Sequence, residues 1–145
     1  MIIESIERAG YNPGIDISLC LDVASNELFD GKNYSIISGK KINSKELINY
    51  YADLVKKYPI KSIEDPIFED DWEVWSNLTG SIGDSVQIVG DDLFVTNENE
   101  LTGKSPSSNE STCSKVKLQS LANCFTFSTE PSRSFPKRPN GIFMV

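Results

Sequence analysis

Three acidic residues in this sequence each stand at the end of a short apolar run: Asp22, Glu64 and Asp91. Such runs are typical of buried strands. An ionised carboxylate in an apolar setting must be paired, bound to a metal or neutralised. Because the carboxyl ends of parallel strands meet at one face of a sheet or barrel, we expect the three acids to converge. Oxygen ligands of this kind suit Mg²⁺, so the pattern predicts a carboxylate magnesium site.

The alternative interpretation is that these acids only shape the chain. An Asp after a strand commonly forms a turn or caps the next helix. This interpretation fits best for Asp65 and Asp92, which are the second members of two acidic pairs. A plain cap does not require acids at three successive strand ends, however, and the set as a whole favours metal binding.

Length and composition set limits on the fold and on the partners. The chain has 145 residues, enough for one ordinary domain but short of the roughly 250 of a complete (β/α)₈ barrel. A net charge of −7 without His argues against a nucleic-acid partner. No apolar run is long enough to span a membrane, and the N-terminus lacks the pattern of a secretory signal. Three Cys residues without a CxxC pattern indicate a reducing compartment, so we expect a cytoplasmic protein.

Helix and strand patterns alternate along residues 1–100, which predicts a parallel α/β fold. The clearest helix begins at Asn43, where Glu46 completes a capping-box pattern ahead of an apolar stripe. The two tryptophans, Trp72 and Trp75, are expected to be packing residues. The predicted elements are helices over 1–9, from 43, over 71–78 and after 97, strands over 15–24, 60–63 and 86–89, and an extended segment over 28–37 around a turn at Asp30-Gly31-Lys32.

The chain changes character at about residue 100. Acidic residues outnumber basic ones over residues 1–100, whereas residues 101–145 are rich in Ser and carry an excess of Lys and Arg. This composition predicts an irregular tail over residues 101–145. Two origins are open, a natural flexible tail or translation in a shifted reading frame or past an unrecognised splice site. The abruptness of the change favours the second.

Several stretches of residues 1–100 resemble enolase, the glycolytic phosphopyruvate hydratase. They follow one another in the family's order and spacing, and they are long enough to be specific. The resemblance implies a partial TIM-like barrel, a fragment of the enolase C-terminal domain. The stretches are Ala9-Gly10-Tyr11, Leu21-Asp22-Val23-Ala24-Ser25-Asn26-Glu27-Leu28-Phe29, Tyr58-Pro59-Ile60-Lys61-Ser62-Ile63-Glu64-Asp65-Pro66, Asp71-Trp72 and Val89-Gly90-Asp91-Asp92-Leu93-Phe94-Val95-Thr96-Asn97.

The resemblance also implies a reaction and a set of site residues. Asp22, Glu64 and Asp91 would be the carboxylate ligands of the catalytic Mg²⁺, and Glu64 and Asp91 would also lie against the substrate. The family is a carbon–oxygen lyase that reversibly dehydrates 2-phosphoglycerate to phosphoenolpyruvate, and its members form homodimers. A Lys removes the proton next to the substrate carboxylate, and a Glu helps to expel hydroxide.

The catalytic residues of the family are not identifiable in this chain. The resemblance implies that the acid Glu and a whole N-terminal domain precede the region present here. Lys115 and Lys117 lack the Lys-x-Asn-Gln-Ile-Gly context of the base, and neither is assigned that role. We therefore expect this chain alone to be inactive. The alternative function is a non-catalytic truncated fragment, either an interaction remnant or a pseudogene product; another enolase-superfamily activity is disfavoured by the motif Gly90 to Asn97.

Overall fold

A computed structural model of the chain describes residues 1–36, 39–95, 97, 99, 116–117 and 141–144. In chain order these residues form α1 (Ile2–Arg8), β1 (Ile17–Asp22), a short 3-10 helix (Ser25–Leu28), β2 (Tyr34–Ser35), β3 (Lys41–Ile42), α2 (Ser44–Lys57), β4 (Ile60–Glu64), α3 (Trp72–Ile82), β5 (Gln87–Val89), β6 (Val116–Lys117) and β7 (Gly141–Met144).

The main sheet has five strands in the order β6-β5-β4-β1-β7. Every pair of neighbours in it is parallel. A parallel pair needs a crossover connection, and α2 supplies the one between β1 and β4 while α3 supplies the one between β4 and β5. The predicted parallel α/β architecture is confirmed.

The helix α2 begins and packs as its sequence predicts. The Asn43 side chain accepts a hydrogen bond from the Glu46 backbone N–H at 3.0 Å. The Glu46 carboxylate accepts one from the Asn43 N–H at 3.0 Å. The stripe faces the core, with Leu47 and Tyr51 buried. Because the capping box satisfies N–H groups that the first turn leaves free, it fixes the start of the helix.

The core lies between the sheet and these helices. Ile63 in the central strand β4 and Trp75 in α3 are both fully buried. The Trp75 indole N–H donates to the Phe68 carbonyl at 3.0 Å, and the Trp72 ring lies 6.2 Å from that of Phe94. The prediction that both tryptophans are packing residues is confirmed.

The described part of the segment over residues 28–37 contains the predicted turn at Asp30-Gly31-Lys32, and Phe29 and Tyr34 form an antiparallel bridge across it. The 3-10 helix precedes it, and β2 pairs with β3 in a small antiparallel hairpin. Asp30 stabilises the turn before β2, because its side chain accepts hydrogen bonds from the backbone N–H groups of Lys32 at 3.1 Å and Asn33 at 2.8 Å. Such a side chain replaces backbone partners locally and ends an extended run. The helix α3 also runs four residues beyond its predicted end, to Ile82.

The predicted irregular tail over residues 101–145 lies mostly outside the described residues, as do parts of the helix predicted after residue 97. Two short segments of the tail are strands rather than irregular chain: β6 pairs with β5, and β7 pairs with β1. Pairing across the sheet supplies partners that local composition does not reveal. Over the residues that the structure describes, no helix has the length and apolarity to cross a membrane.

The hydroxyl of Tyr51 gives a test of how α2 is held. It donates to the Pro66 carbonyl at 2.9 Å in a buried setting. We expect Tyr51→Phe to lower the free energy of unfolding by about 1–3 kcal/mol, because the buried carbonyl loses its donor. Tyr50→Phe is the matched control, since Tyr50 is 39% exposed in the same helix, and it should change stability by less than about 0.5 kcal/mol. Urea unfolding followed by circular dichroism measures both, and equal losses would contradict the packing described here.

Candidate metal centre

The three sequence-predicted ligands lie at one edge of the sheet. Asp22 is the last residue of β1, and Glu64, which pairs with it in register, is the last residue of β4. Glu64 in turn pairs with Val89, the last residue of β5, and Asp91 follows two residues later. The parallel register therefore brings the ends of the three strands, and the acids on them, to the same edge.

Glu64 is the buried member of the three acids. Its side chain is buried, with 9% of the residue exposed, while Asp22 and Asp91 are exposed. Burial, followed by repulsion from the negative charges around it, raises the pKa of Glu64 from 4.5 to about 7. The repelling charges belong to Asp22, Asp65, Asp91 and Asp92. A positive ion at this edge would relieve that repulsion.

Asp65 forms hydrogen bonds to the segments that follow β1 and β5 and to the last residue of β5. Its backbone N–H donates to the Val89 carbonyl at 3.0 Å, and its carbonyl accepts from the Ser25 N–H at 3.1 Å. Its carboxylate accepts the backbone N–H of Asp91 at 2.9 Å. Burial raises the pKa of Asp65 to about 6, opposed by its N–H partners. The interpretation of Asp65 as a turn former or helix cap does not describe these contacts, because its carboxylate bonds a residue 26 positions away.

Asn26 holds two acidic loops together. Its amide N–H₂ group donates to the carboxylates of Glu69 at 3.1 Å and Asp92 at 3.0 Å. Its amide oxygen accepts the Glu69 backbone N–H at 3.0 Å. These contacts draw the loop after β4 and the loop after β5 toward the segment after β1. Sequence reasoning assigned no role to Asn26, because residues 43 and 66 positions away in sequence are its partners.

Residues 1–122 of the chain match the family described as the enolase C-terminal TIM barrel domain. The chain belongs to this family. Over 102 residues it is 53% identical to the enolases of Tropheryma whipplei strains Twist and TW08/27. The alignment covers 70% of this chain and 24% of each relative, so the chain spans about a quarter of the length of the curated relatives that it matches.

Membership in the enolase family identifies the architecture to which the parallel sheet belongs. The parallel strands with α2 and α3 between them are part of a TIM barrel domain, as the sequence predicted. The family match continues past the predicted boundary at about residue 100 and includes β6. In that strand Lys117 pairs in register with Val89, the last residue of β5. The backbone of Lys117 therefore lies on the strand next to β5, two residues in register from the position of Asp91 along the chain.

The donor set at this edge of the enolase barrel fits Mg²⁺ in its chemistry. All three predicted ligands are carboxylates, and two of them are exposed, which leaves room for the water molecules that Mg²⁺ retains. The side chains are not already gathered around one point: among the residues that the structure describes, no group of three His, Cys, Asp or Glu could hold a metal ion as it stands. An ion would have to draw the carboxylates in.

The raised pKa of Glu64 predicts how the metal-free chain responds to pH. The folded state holds the Glu64 proton more tightly than the unfolded state, so its stabilising effect is complete below the ordinary pKa of 4.5 and is lost as the pH rises through about 7. The free energy of unfolding in EDTA should therefore be lower at about pH 8 than at about pH 5.

Glu64→Gln should flatten this pH dependence, because Gln does not titrate. Asp65, whose pKa is also raised, would leave a residual slope. Glu7→Gln, at an exposed position of α1, is the control and should keep the wild-type slope. Urea unfolding at the two pH values measures the difference, and an unchanged slope in Glu64→Gln would contradict the assignment.

Proposed function

We propose that this chain carries the metal-binding strands of an enolase-type lyase, which reversibly dehydrates 2-phosphoglycerate to phosphoenolpyruvate. One observation carries the proposal: the parallel register sets Asp22 beside Glu64, and Glu64 beside the strand end that leads to Asp91. The 53% identity to an enolase of Tropheryma whipplei over 102 residues supports it. The proposal includes Mg²⁺ as cofactor, the two phosphorylated acids as small-molecule partners and the cytoplasm as the compartment.

In this proposal Asp22, Glu64 and Asp91 hold the ion, and Glu64 and Asp91 also face the substrate. Bound Mg²⁺ would stabilise the negative charge that develops when the proton beside the substrate carboxylate is removed. The burial of Glu64 suits this role, because charges interact more strongly where water is excluded. The exposed carboxylates beside it leave the edge open to a phosphorylated ligand.

The second candidate is a non-catalytic fragment. Its support is that the chain spans about a quarter of its curated relatives and that neither an acid nor a base has been assigned within it. The two candidates share the metal site and differ in turnover. We propose that the chain alone binds Mg²⁺ weakly and does not turn over, and that the lyase activity belongs to a protein that also contains the rest of an enolase.

Metal binding tests the ligand set directly. Titration of Mg²⁺ followed by calorimetry should show one site in the wild-type chain. Asp91→Asn should weaken it by at least about tenfold, since even groups that only orient metal ligands are worth about 10–100-fold. Asp53→Asn, an exposed acid on α2, makes the same change of charge and should bind as the wild type does. Equal affinity in Asp91→Asn and Asp53→Asn would overturn the ligand assignment.

A turnover assay tests whether this chain is catalytic on its own. With 2-phosphoglycerate and Mg²⁺, the absorbance of phosphoenolpyruvate should rise no faster than it does without protein, because neither the base nor the acid of the reaction has been assigned in this chain. Turnover by the wild-type chain would contradict the expected inactivity. If Lys117→Met then abolished that turnover while Lys115→Met did not, the lysine in register with Val89 would be assigned as the base.

A further inference from the structure

We propose that Asp65 is a positioning residue for the metal centre. It fixes the direction in which the side chain of Asp91 projects from the loop after β5. The inference rests on the proposed function, because it assigns to Asp65 the task of aiming a metal ligand. It does not make Asp65 itself a ligand. Three observations carry it: the partners of its carboxylate, the engagement of its backbone and its unusual conformation.

The carboxylate of Asp65 holds both peptide groups that flank the α-carbon of Asp91. Its Oδ1 accepts the Asp91 N–H at 2.9 Å. The Asp92 N–H is shared between Oδ1 at 3.3 Å and Oδ2 at 3.4 Å. Because each peptide group is planar, fixing the two planes fixes the backbone rotations of Asp91 and therefore the direction of its Cα–Cβ bond.

This arrangement is a long-range contact and not a local turn. Asp65 lies 26 residues before Asp91 in sequence, directly after the neighbouring strand β4. A capping side chain satisfies N–H groups within its own turn, whereas Asp65 reaches across to a different strand end. The hydrogen bonds therefore couple the end of β4 to the position of Asp91.

The backbone of Asp65 is held on every side. Its N–H and carbonyl are bonded to Val89 and Ser25, and the carbonyl of the next residue, Pro66, accepts the Tyr51 hydroxyl at 2.9 Å. The residue itself is buried and has a φ of +41°. That left-handed conformation is uncommon outside glycine. Such a conformation persists where the surroundings determine it, as they do at functional sites.

A pair of variants separates the hydrogen-bond acceptor from charge and conformation. Asn and Gly both remove the negative charge, and both tolerate a positive φ. Asn keeps an acceptor oxygen for the two N–H groups, whereas Gly keeps none. We expect Asp65→Gly to lose at least about tenfold in Mg²⁺ affinity relative to Asp65→Asn, since groups that orient metal ligands are worth about 10–100-fold.

Amide hydrogen exchange in EDTA supplies the readout that needs no metal. In Asp65→Gly the amides of Asp91 and Asp92 should exchange at least about tenfold faster than in Asp65→Asn. The amide of Val23, which donates to the Glu64 carbonyl at 3.0 Å, reports on the rest of the site and should keep its protection. Loss of protection at all three amides would show general loosening and would overturn a specific positioning role.

The outcomes distinguish this inference from the proposed function. If the wild-type chain binds no Mg²⁺, the proposed function fails and the positioning role fails with it. If the wild type binds Mg²⁺ and Asp65→Gly binds it equally well, the proposed function stands and the positioning role is overturned. Should Asp65→Gly not fold, Asp65→Asn decides: retained amide protection and Mg²⁺ binding support the inference, and loss of protection with unchanged binding overturns it.

Discussion

The parallel pairing of β4 with its two neighbours is the constraint on which the rest of the structure depends. It buries the apolar side chains of β4, such as the fully buried Ile63, in the core. It also sets the register that ends β1, β4 and β5 at one edge. A slip of two residues would keep the buried faces but would move Glu64 away from Asp22. The core and the acidic edge are therefore fixed by the same hydrogen bonds.

The acidic edge opposes the stability of the fold. Glu64 and Asp65 are buried carboxylates, and burial together with the negative charges of neighbouring acids raises the pKa of each, which makes their charged forms costly. The structure offsets part of that cost by giving Asp65 backbone N–H partners. The same groups make the edge a suitable place for a divalent cation, whose charge would compensate the repulsion. Places where a sequence breaks the rules of burial are commonly functional.

Much of this arrangement could be predicted from local sequence. The capping box at Asn43, the buried stripe of α2 and each acid at a strand end are signals that each extend over only a few residues, and the structure contains all of them. The enolase resemblance was predicted from motifs and is confirmed by the family match. The convergence of the strand ends followed from the general rule for parallel sheets.

The contacts that organise the site could not be predicted in the same way. Asp65 and Asn26 bond to residues 26 to 66 positions away, and the identity of such partners depends on the completed fold. The pairing of β6 and β7 with the sheet is also non-local, so composition alone predicted irregular chain there. The hairpin of β2 and β3 was not predicted, because its two strands pair over only two residues each, Tyr34 with Ile42 and Ser35 with Lys41.

Paramagnetic broadening by Mn²⁺, an oxygen-seeking substitute for Mg²⁺, tests the central claim most directly. In amide spectra of the whole chain, substoichiometric Mn²⁺ should broaden the signals of Val23, Asp65 and Asp91 at the carboxyl edge. The signals of Ile17 and Ile60, at the opposite ends of β1 and β4, should persist. Broadening centred on any other acidic cluster, such as Glu69 to Asp71, or equal broadening at both ends of the strands, would contradict the account.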